Sequence, residues 1–507
     1  MEALDWLVIG VFFLALIGII VWVVRQKQND SADYFLGGRD ATWLAIGASI
    51  FASNIGSEHL IGLAGAGASS GMAMAHWEIQ GWMILILGWV FVPFYSRSMV
   101  YTMPEFLERR YNPQSRTILS VISLVSYVLT KVAVTVYAGG LVFQQVFGIK
   151  ELWGIDFFWI AAIGLVVLTA LYTIFGGMKS VLYTSVLQTP ILLLGSLIIL
   201  VLGFKELGGW DEMMRVCGAV TVNDYGDTMT NLIRSNDDAN FPWLGALIGS
   251  AIIGFWYWCT DQFIVQRVLS GKNEKEARRG TIFGAYLKLL PVFLFLIPGM
   301  IAFALHQKYI GAGGEGFLPM LANGTANADA AFPTLVAKLL PAGVKGLVVC
   351  GILAALMSSL ASLFNSSAML FTIDFYKRFR PETPEKKLVG IGQIATVVIV
   401  ILGILWIPIM RSVGDVLYTY LQDVQSVLAP GIAAAFLLGI CWKRTSAQGG
   451  MWGLISGMVI GLTRLGAKVY YSNAGEVADS TFKYLFYDMN WLFFCGWMFL
   501  FCIIVVI

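Results

Sequence analysis

Charged residues are scarce in this sequence. Lys, Arg, Asp and Glu make up 13% of the 507 residues, whereas hydrophobic residues make up 58%. An ordinary soluble domain has roughly a quarter of its residues charged, and the mean hydropathy of this chain is +0.76. The composition therefore excludes a soluble enzyme and predicts a protein embedded in a lipid bilayer.

Two further shortages narrow the possible functions. The net charge is only +2, and Lys and Arg cluster in short loops rather than on one basic face, so no nucleic-acid partner is expected. Five of the six cysteines lie in or at the edge of apolar segments and only Cys217 lies in a clear loop, so no disulfide framework is predicted. Nothing in the longer loops looks catalytic, and we expect no enzymatic activity.

Long apolar runs are what the sequence has in abundance. A membrane-spanning helix needs about 20 apolar residues, and thirteen runs approach or exceed that length. The runs lie near residues 6–24, 42–68, 78–101, 117–147, 156–175, 182–204, 241–266, 281–306, 343–374, 388–410, 415–440, 449–466 and 489–507. The first is too long for a signal-peptide core and lacks a small-residue cleavage site, so we expect a retained helix. The last ends at Ile507 without a polar flank, so a further helix is expected beyond it.

The loops between these runs alternate in charge. One set is rich in Arg and Lys and lies near residues 25–39, 109–116, 267–279, 377–387 and 443–444. The longer loops of the other set carry Asp, Asn and Gly and lie at 205–240, 307–342 and 467–488. The positive-inside rule places the first set in the cytoplasm. This predicts a multi-pass protein of the plasma (inner) membrane with its N-terminus outside.

One apolar run is interrupted between Phe51 and His59 by the sequence FASNIGSEH. Small residues on both sides loosen the helix there, so backbone carbonyls are expected to leave their helical hydrogen bonds. Irregular backbone at membrane depth is tolerated only where it is buried in protein or lines a cavity, and in transporters such carbonyls bind ions. The interruption predicts a transporter with an ion site.

A second polar constellation is the sequence AALMSSLAS at 354–362. On a helix Ser358 and Ser359 follow Ala355 by three and four residues, so two hydroxyls and the Ala355 carbonyl converge on one point. Such neutral oxygens suffice for a weak, reversible sodium site. From this run alone, close helix packing by small residues is the favoured alternative. The interruption at 51–57 shifts the balance, because it supplies further carbonyls.

Six ionisable side chains lie within apolar runs, each at a cost of about 2.5 to 3.5 kcal/mol unless it is paired or hydrated. They are His59, Glu78, Lys131, Asp261, Lys288 and Asp374. His59, Glu78 and Lys288 lie nearer the apolar interiors than the others do, and they favour a substrate site over a structural network.

The remaining buried charges admit a plainer explanation. Asp261, Arg267 and Asp374 lie close to the cytoplasmic ends of their runs, where pairing between helices or placement at the interface is favoured. For Lys131 the two interpretations are equally supported.

Several long motifs of this chain closely resemble those of the sodium/glucose cotransporters of the solute:sodium symporter family. They lie at 37–65, 102–111, 175–189, 255–272, 285–293 and 357–376. The resemblance extends from about residue 33 to 466 and includes WYWCTDQ at 256–262, which is characteristic of the sugar-carrying branch. It implies an all-α fold with a five-plus-five inverted repeat, like that of the bacterial leucine transporter, and alternating access around a midplane site.

The resemblance also implies a division of the chain. It gives a first helix and cytoplasmic loop at 1–41, a first repeat at 42–204, an extracellular loop at 205–240, a second repeat at 241–440 containing the loop 307–342, and C-terminal helices at 441–507.

The family's functional residues map onto two sets of positions in this chain. The implied ligands of a sodium ion are the backbone carbonyls of Ala52, Ile55 and Ala355 and the hydroxyls of Ser358 and Ser359. The implied sugar-site residues are Asn54, His59, Trp77, Glu78, Tyr257, Trp258, Lys288 and Gln422, with Trp77 as an outer gate and Tyr257 as an inner lid. Amide, carboxylate and ammonium groups suit sugar hydroxyls, and aromatic rings suit the apolar face of a pyranose.

Two departures from the family concern the ion. Ser185 stands where many members have an acidic residue, and Ala361 stands where members with a second sodium site have a hydroxyl. Both argue against a second ion, so one sodium per sugar is predicted.

Two further departures concern the sugar. Gly254 and Gly81 replace side chains that are polar in some relatives, so sugar contacts there are expected either to be lost or to be taken over by Gln80 or Gln425. The sequence thus predicts a sodium-coupled symporter for glucose or galactose, in which sodium favours the outward-open state. The alternatives are a carrier of myo-inositol or another small polar solute, and a non-transporting sugar sensor or sodium-leak channel on the same scaffold.

Overall fold

The structure is a computed structural model that describes residues 1–507 except 27, 29, 57, 322–323, 414–416 and 474–477. The side chains of 129–130, 409–413, 417–423 and 473 are also outside the described part. Gln422 therefore lies outside the described side chains. The described chain is mostly helical, as expected for a bilayer protein whose backbone must satisfy its own hydrogen bonds.

The α-helices of the first half are Ala3–Val24, Ser31–Leu36, Trp43–Asn54, Ala64–Ser70, Ala75–Ile79, Met83–Ile86, Val92–Ser98, Met103–Arg110, Pro113–Ser126, Ala133–Phe147, Phe157–Leu207 and Trp210–Gly218. Those of the second half are Trp243–Phe255, Gln262–Leu269, Glu274–Leu287, Ile297–Gly311, Ala331–Leu339, Val344–Met369, Lys377–Phe379, Glu385–Val413, Leu417–Cys441, Ala447–Asn473, Thr481–Lys483 and Trp491–Val506.

Tighter and wider helical turns connect many of these helices. The 3-10 turns are Gly37–Arg39, Gly71–Met74, Gln80–Trp82 and Ala328–Ala330. The π-helical turns are Glu58–Leu63, Leu87–Phe91, Tyr127–Val132, Trp256–Thr260, Val292–Leu296, Leu370–Tyr376 and Tyr484–Asp488. Two short strands, Glu151–Leu152 and Ile155–Asp156, pair antiparallel with Glu151 opposite Asp156 and Leu152 opposite Ile155.

Within the described residues, eight helical segments are long and apolar enough to cross a membrane, or nine when the bent pair at the C-terminal end counts as one span. Most of the described residues in the thirteen predicted runs are helical, but the runs do not correspond one to one to these segments. The runs at 156–175 and 182–204 fall on two helices that meet at a bend within Phe157–Leu207, where Gly177 has the non-helical angles φ +52° and ψ −149°. A side chain at Gly177 would collide with the Tyr34 carbonyl. The bend therefore requires glycine.

The first helix of each predicted repeat is interrupted. In the first broken helix, residues 43–70, the α-helix ends at Asn54 and Ile55 is extended, with φ −79° and ψ 105°. In the second broken helix, residues 243–269, a π-helical turn leads to Asp261, which is extended and caps the Phe263 N–H with its carboxylate. Both interruptions are buried in the protein, which is where irregular backbone is tolerated at membrane depth.

The helix Val344–Met369, here called the serine helix, lies at the centre of the bundle. It packs most extensively against Phe157–Leu207 and also contacts Trp43–Asn54 of the first broken helix. A Cβ atom at Gly351 would lie 3.2 Å from the Leu192 Cα, and one at Gly195 would lie 3.3 Å from the Val348 Cα. Glycine thus permits the close approach of the two helices.

The cysteines divide sharply by exposure. Cys441, at the end of the helix Leu417–Cys441, is exposed, while the other five cysteines are buried, and all six are free thiols. This agrees with the absence of a predicted disulfide framework.

Candidate functional site

The serine helix meets the first broken helix at the interruption. The Ser359 hydroxyl donates to the Ser53 carbonyl at 2.7 Å and lies 3.4 Å from the Ile55 carbonyl. Gly56 leaves room for this contact, because a Cβ atom there would lie 2.9 Å from the Ser359 Oγ. Two of the predicted ion ligands, Ile55 and Ser359, are therefore neighbours across the two helices.

Ser358 extends the same contact toward the long helix Phe157–Leu207. Its Oγ lies 3.2 Å from the Ser185 Oγ and 3.4 Å from the Ser53 Oγ. Ser53 is also hydrogen-bonded to Ser362, with 2.7 Å between the hydroxyl oxygens. The predicted ligands Ala52 and Ala355 are both buried. The result is a buried set of neutral oxygens, which is the donor type that sequence reasoning assigned to sodium.

His59, Glu78 and Lys288 come together from three separate helices. The Lys288 Nζ lies 2.6 Å from the Glu78 Oε2 and 2.7 Å from the His59 Nε2, and all three side chains are buried. The same Nε2 also lies 3.2 Å from the Glu78 Oε1, so the three side chains form one buried charged cluster. The Nδ1 atom of His59 is buried without a hydrogen-bond partner. One buried ring nitrogen is thus left free beside an ion pair.

The predicted lid residue Tyr257 lies on the π-helical turn of the second broken helix. Its hydroxyl accepts a hydrogen bond from the Asn54 Nδ2 at 3.0 Å, which ties the two broken helices together. Its ring packs edge to face on Trp258, with 4.9 Å between the ring centroids. The Asn54 Oδ1 is buried and has no hydrogen-bond partner.

The predicted outer gate is also in a packed environment. The Trp77 ring is buried and contacts Trp491 edge to face, with ring centroids 5.6 Å apart. Trp77 therefore contacts a helix outside the two predicted repeats.

Gln425, which was expected to contact the sugar, is buried on the helix Leu417–Cys441.

The two glycine departures make room for polar side chains. A Cβ atom at Gly254 would lie 2.7 Å from the Gln80 Oε1, and one at Gly81 would lie 2.5 Å from the Lys288 Cγ. The Gln80 Oε1 is buried without a partner. Gln80 therefore lies beside Gly254, and its contact with a solute stays a prediction.

A small cavity of about 20 Å³ joins the ion and lid residues. It is lined by Ser53, Asn54, Gly56, Glu58, Lys131, Thr135, Tyr257, Phe263, Ser359 and Leu363. A cavity of this size holds a single water molecule or ion. A six-membered sugar ring would require the lid or the broken helices to move.

Sequence reasoning left the role of Lys131 open, and the structure places it beside the lid. Its Nζ lies 2.7 Å from the Asp261 carboxylate and 4.6 Å from the centre of the Tyr257 ring. Tyr127 donates to the same carboxylate. The pair therefore joins the interruption of the second broken helix to the neighbouring helix. Periodicity alone does not reveal this pairing, because the residues are separated by more than a hundred positions.

Asp374 takes part in a polar network just beyond the C-terminal end of the serine helix. Its carboxylate accepts from Arg116 at 2.7 Å, from Thr102 at 2.7 Å and from Ser120 at 2.9 Å. Arg116 also pairs with Glu108 at 2.6 Å. This network agrees with the favoured interpretation of Asp374 as a residue that pairs neighbouring helices.

Comparison with known proteins identifies the family of this chain and its fold. The family model described as "Sodium:solute symporter family" matches residues 34–457. The human protein named sodium/myo-inositol cotransporter 2 is 38% identical over 479 residues, which is 92% of this chain and 70% of that protein. The rat protein named sodium/glucose cotransporter 2 is 38% identical over 512 residues, 97% of this chain and 75% of that protein.

Solved structures share the fold at low sequence identity. A Na+-coupled sialic acid symporter in a substrate-bound outward-open state superposes with a TM-score of 0.79 at 21% identity, over 100% of this chain and 97% of that one. MhsT in complex with L-phenylalanine gives 0.53 at 12% identity, over 92% and 99% of the two chains. These matches confirm the predicted leucine-transporter-like fold.

The family prediction rests on length and identity together. The family model covers most of the chain, and the two relatives are well above 30% identical over more than nine-tenths of it. The chain is thus a multi-pass membrane protein and not an enzyme, and it belongs to the sodium:solute symporter family.

Proposed function

We propose that this protein imports a monosaccharide such as glucose or galactose together with one sodium ion. We place it in the plasma membrane with its N-terminus outside. The observation that carries the proposal is the Ser359 hydroxyl, which lies against the Ser53 and Ile55 carbonyls where the first broken helix is interrupted. We assign the ion to the carbonyls of Ala52, Ile55 and Ala355 and to the hydroxyls of Ser358 and Ser359.

The ion would couple two parts of the molecule. Its ligands come from the first broken helix and from the serine helix, which belong to different predicted repeats. An ion bound to both helices favours the conformation in which they are close, so it shifts the equilibrium toward that state. If this state is the outward-open one, sodium raises solute affinity, and by linkage the solute raises sodium affinity by the same factor.

Three buried polar atoms without partners support a polyhydroxylated solute. They are the Nδ1 of His59, the Oδ1 of Asn54 and the Oε1 of Gln80. Together they offer one ring nitrogen and two acceptor oxygens, and a sugar hydroxyl both donates and accepts. A buried polar group left unpaired costs about 1 to 3 kcal/mol. A solute that pairs these atoms recovers that free energy, whereas an apolar solute does not.

Glu78, Lys288, Trp258, Tyr257 and Gln425 complete the assigned solute site. The ion pair of Glu78 with Lys288 supplies acceptor and donor on the same side, and the adjoining rings of Tyr257 and Trp258 offer an apolar surface. Trp77 is assigned as the outer gate. Gln422 is assigned from the family resemblance alone.

A second candidate solute is myo-inositol. The human relative that is 38% identical to this chain is named a sodium/myo-inositol cotransporter. Inositol also has a six-membered ring that carries hydroxyls, but all six ring atoms are carbon, so a carbon with a hydroxyl stands where glucose has its ring oxygen. Selectivity between glucose and inositol therefore depends on whether the protein faces this ring position with an acceptor or a donor.

Uptake into proteoliposomes tests the proposal. Labelled glucose, galactose and myo-inositol are supplied with an inward sodium gradient or with potassium replacing sodium. We expect accumulation of one of these solutes above its equilibrium level in sodium only. Binding or current without accumulation would instead indicate a sensor or a channel.

The matched variants are Ser359→Ala and Ser367→Ala. Both serines are buried on the serine helix, but the Ser367 hydroxyl has no hydrogen-bond partner among the described residues. We expect Ser359→Ala to abolish sodium-driven uptake and Ser367→Ala to preserve it. Unchanged uptake by Ser359→Ala would refute the assigned ion site.

A further inference from the structure

Arg267 is a buried cation beside the assigned sodium site. Its side chain lies in the half-helix Gln262–Leu269 and is only 1% exposed. Its Nε donates to the Ser49 hydroxyl at 3.1 Å and to the Ser53 hydroxyl at 3.2 Å. Both of these acceptors are neutral hydroxyl oxygens.

The charge of Arg267 is not neutralised by a close carboxylate. Among the described side chains, none of the ion pairs within 4 Å includes Arg267, and the nearby Asp261 is paired with Lys131 at 2.7 Å. The Nη2 of Arg267 is buried and has no hydrogen-bond partner. The Phe263 ring lies 4.9 Å from the guanidinium carbon. A buried charge with so few partners is costly.

The serine hydroxyls link this charge to the assigned ion ligands. Ser53, which accepts from Arg267, has its Oγ 3.4 Å from the Ser358 Oγ and its carbonyl 2.7 Å from the Ser359 Oγ. Ser53 thus lies between the Arg267 guanidinium and the assigned sodium ligands Ser358 and Ser359. Two like charges about 7 Å apart repel strongly enough to weaken binding on the order of tenfold or more, at an effective dielectric constant of about 20.

We propose that Arg267 is a fixed internal cation that lowers the sodium affinity of this symporter and so promotes release of the ion. This inference rests on the sodium site of the proposed function and adds a residue that sets its affinity. Ser185 is part of the same arrangement, because its hydroxyl lies 3.4 Å from that of Ser49 and 3.2 Å from that of Ser358. With serine rather than a carboxylate at 185, nothing there offsets the guanidinium charge.

The first test separates charge from hydrogen bonding at position 267. Arg267→Gln removes the charge and keeps a donor for the serine hydroxyls, whereas Arg267→Lys keeps the charge. The readout is the sodium concentration that gives half of the sodium-dependent thermal stabilisation of the purified protein in detergent, without solute and at constant ionic strength. We expect Arg267→Gln to lower this concentration about tenfold or more and Arg267→Lys to leave it near the parent value.

A second pair of variants leaves Arg267 in place and covers the case in which Arg267→Gln fails to fold. Ser185→Asp adds a carboxylate that offsets the guanidinium, and Ser185→Asn is the uncharged control of the same size. Because a carboxylate at 185 also offers a ligand to a second ion, the sodium-to-solute ratio of Ser185→Asp is measured as well and is expected to stay at one. A ratio near two would assign the shift to a second ion and count against the role of Arg267. We expect a lower sodium concentration for Ser185→Asp than for Ser185→Asn. Equal values for this pair, or an unchanged value in folded Arg267→Gln, would overturn the role of Arg267. A shift in Arg267→Lys as large as that in Arg267→Gln would also overturn it.

Ser359→Ala distinguishes this inference from the proposed function. If Ser359→Ala keeps the parent's sodium-dependent stabilisation, the assigned site is wrong and the role of Arg267 is rejected with it. If Ser359→Ala loses the stabilisation while the charge variants do not shift, the site stands and only the role of Arg267 is rejected.

Discussion

Glu78 illustrates how a single side chain serves both stability and recognition. Its carboxylate lies 2.6 Å from the Lys288 ammonium and 3.2 Å from the His59 ring nitrogen. Complete removal of the side chain would leave Lys288 as an unpaired buried cation, so a loss of folding could be mistaken for a loss of binding. A substitution at Glu78 should therefore keep the size of the side chain and an oxygen that accepts a hydrogen bond from Lys288.

Glu78→Gln keeps the shape and removes the charge. We expect the solute concentration at half-maximal uptake to rise about tenfold or more, because a hydrogen bond to a charged group contributes roughly 1.5 to 3 kcal/mol. Sodium-dependent thermal stabilisation without solute should stay at the parent value. Parent-like uptake affinity would show that Glu78 does not contact the solute.

Tyr257 offers a comparison of ring and hydroxyl. Tyr257→Phe loses the hydrogen bond from Asn54 but keeps the ring that packs on Trp258, whereas Tyr257→Ala loses both. If the ring covers the solute, the alanine variant should lose at least tenfold more uptake affinity than the phenylalanine variant. Concentration dependence of uptake in proteoliposomes measures both. Equal losses would assign the role to the hydroxyl.

For single residues, the sequence predicted which ionisable side chains come together in the membrane better than it predicted their individual pairings. His59, Glu78 and Lys288 were singled out because ionisable groups are costly in apolar runs, and the structure brings all three together. The pairing of Lys131 with Asp261 was not predictable, since nothing in local spacing relates residues that meet only through tertiary packing. The assignment of sodium ligands and solute contacts remains a prediction.

Helices were predicted well, and their irregularities were predicted in part. The interruption near Asn54 was expected from small and polar residues, and the helix does end there. The π-helical turn at Trp256–Thr260, by contrast, falls in an aromatic and apolar sequence that gives no such signal. This turn packs against the helices Trp243–Phe255 and Leu417–Cys441, which local sequence does not reveal. The boundary between the runs at 156–175 and 182–204, by contrast, lies next to the bend at Gly177.

The network around Asp374 connects the end of the serine helix to two neighbouring helices. Asp374→Ala would leave the partly buried Arg116 without its main partner, and breaking a buried pair in this way costs about 3 to 5 kcal/mol. We expect a clear fall in the melting temperature in detergent. Adding Arg116→Met should recover part of it, because the stranded charge is then gone.

The exposed pair of Arg215 with Glu212 is the control for this experiment. Its side chains are in high-dielectric surroundings, so Arg215→Ala should leave the melting temperature unchanged within error. A double variant no more stable than Asp374→Ala alone would show that charge pairing is not what Asp374 contributes.

For the molecule as a whole, the departures from the family pattern at Ser185 and Ala361 affect the coupling ratio, which is the number of sodium ions transported with each solute. With a hydroxyl at Ser185 and a methyl at Ala361, a second ion would lack a charged ligand and one oxygen, which is unfavourable in apolar surroundings. We expect one sodium per solute. Reversal potentials in proteoliposomes at several sodium and solute gradients measure this ratio, and a value near two would require a second ion site.

The pH dependence of stability is expected to depend in part on the 3-10 turn Ala328–Ala330, which packs on the first broken helix. Asp329 lies in the 3-10 turn Ala328–Ala330, close enough to Gly65 that a Cβ atom there would lie 2.7 Å from the Asp329 carboxylate. Burial raises the pKa of Asp329 from 3.8 to about 6. The folded state therefore holds this proton more tightly than the unfolded chain does.

A raised carboxyl pKa contributes stability below about pH 4, and that contribution is lost as the pH rises through about 6. Asp329→Asn removes the charge, so it should raise the melting temperature at pH 7.5, by up to about 3 kcal/mol in free energy of unfolding, and have little effect at pH 4. Melting curves across this range test the sign. A stabilisation of equal size at both pH values would rule out titration of Asp329 as the cause.

The exposed thiol at Cys441 gives experimental access to the conformational cycle. Five of the six cysteines are buried, so a maleimide dye applied to the folded protein should attach at one native position. That position lies at the end of the helix that carries Gln425 of the assigned solute site. A fluorophore there, paired with an acceptor lipid in the bilayer, would report the movement of this helix during turnover without any engineered cysteine.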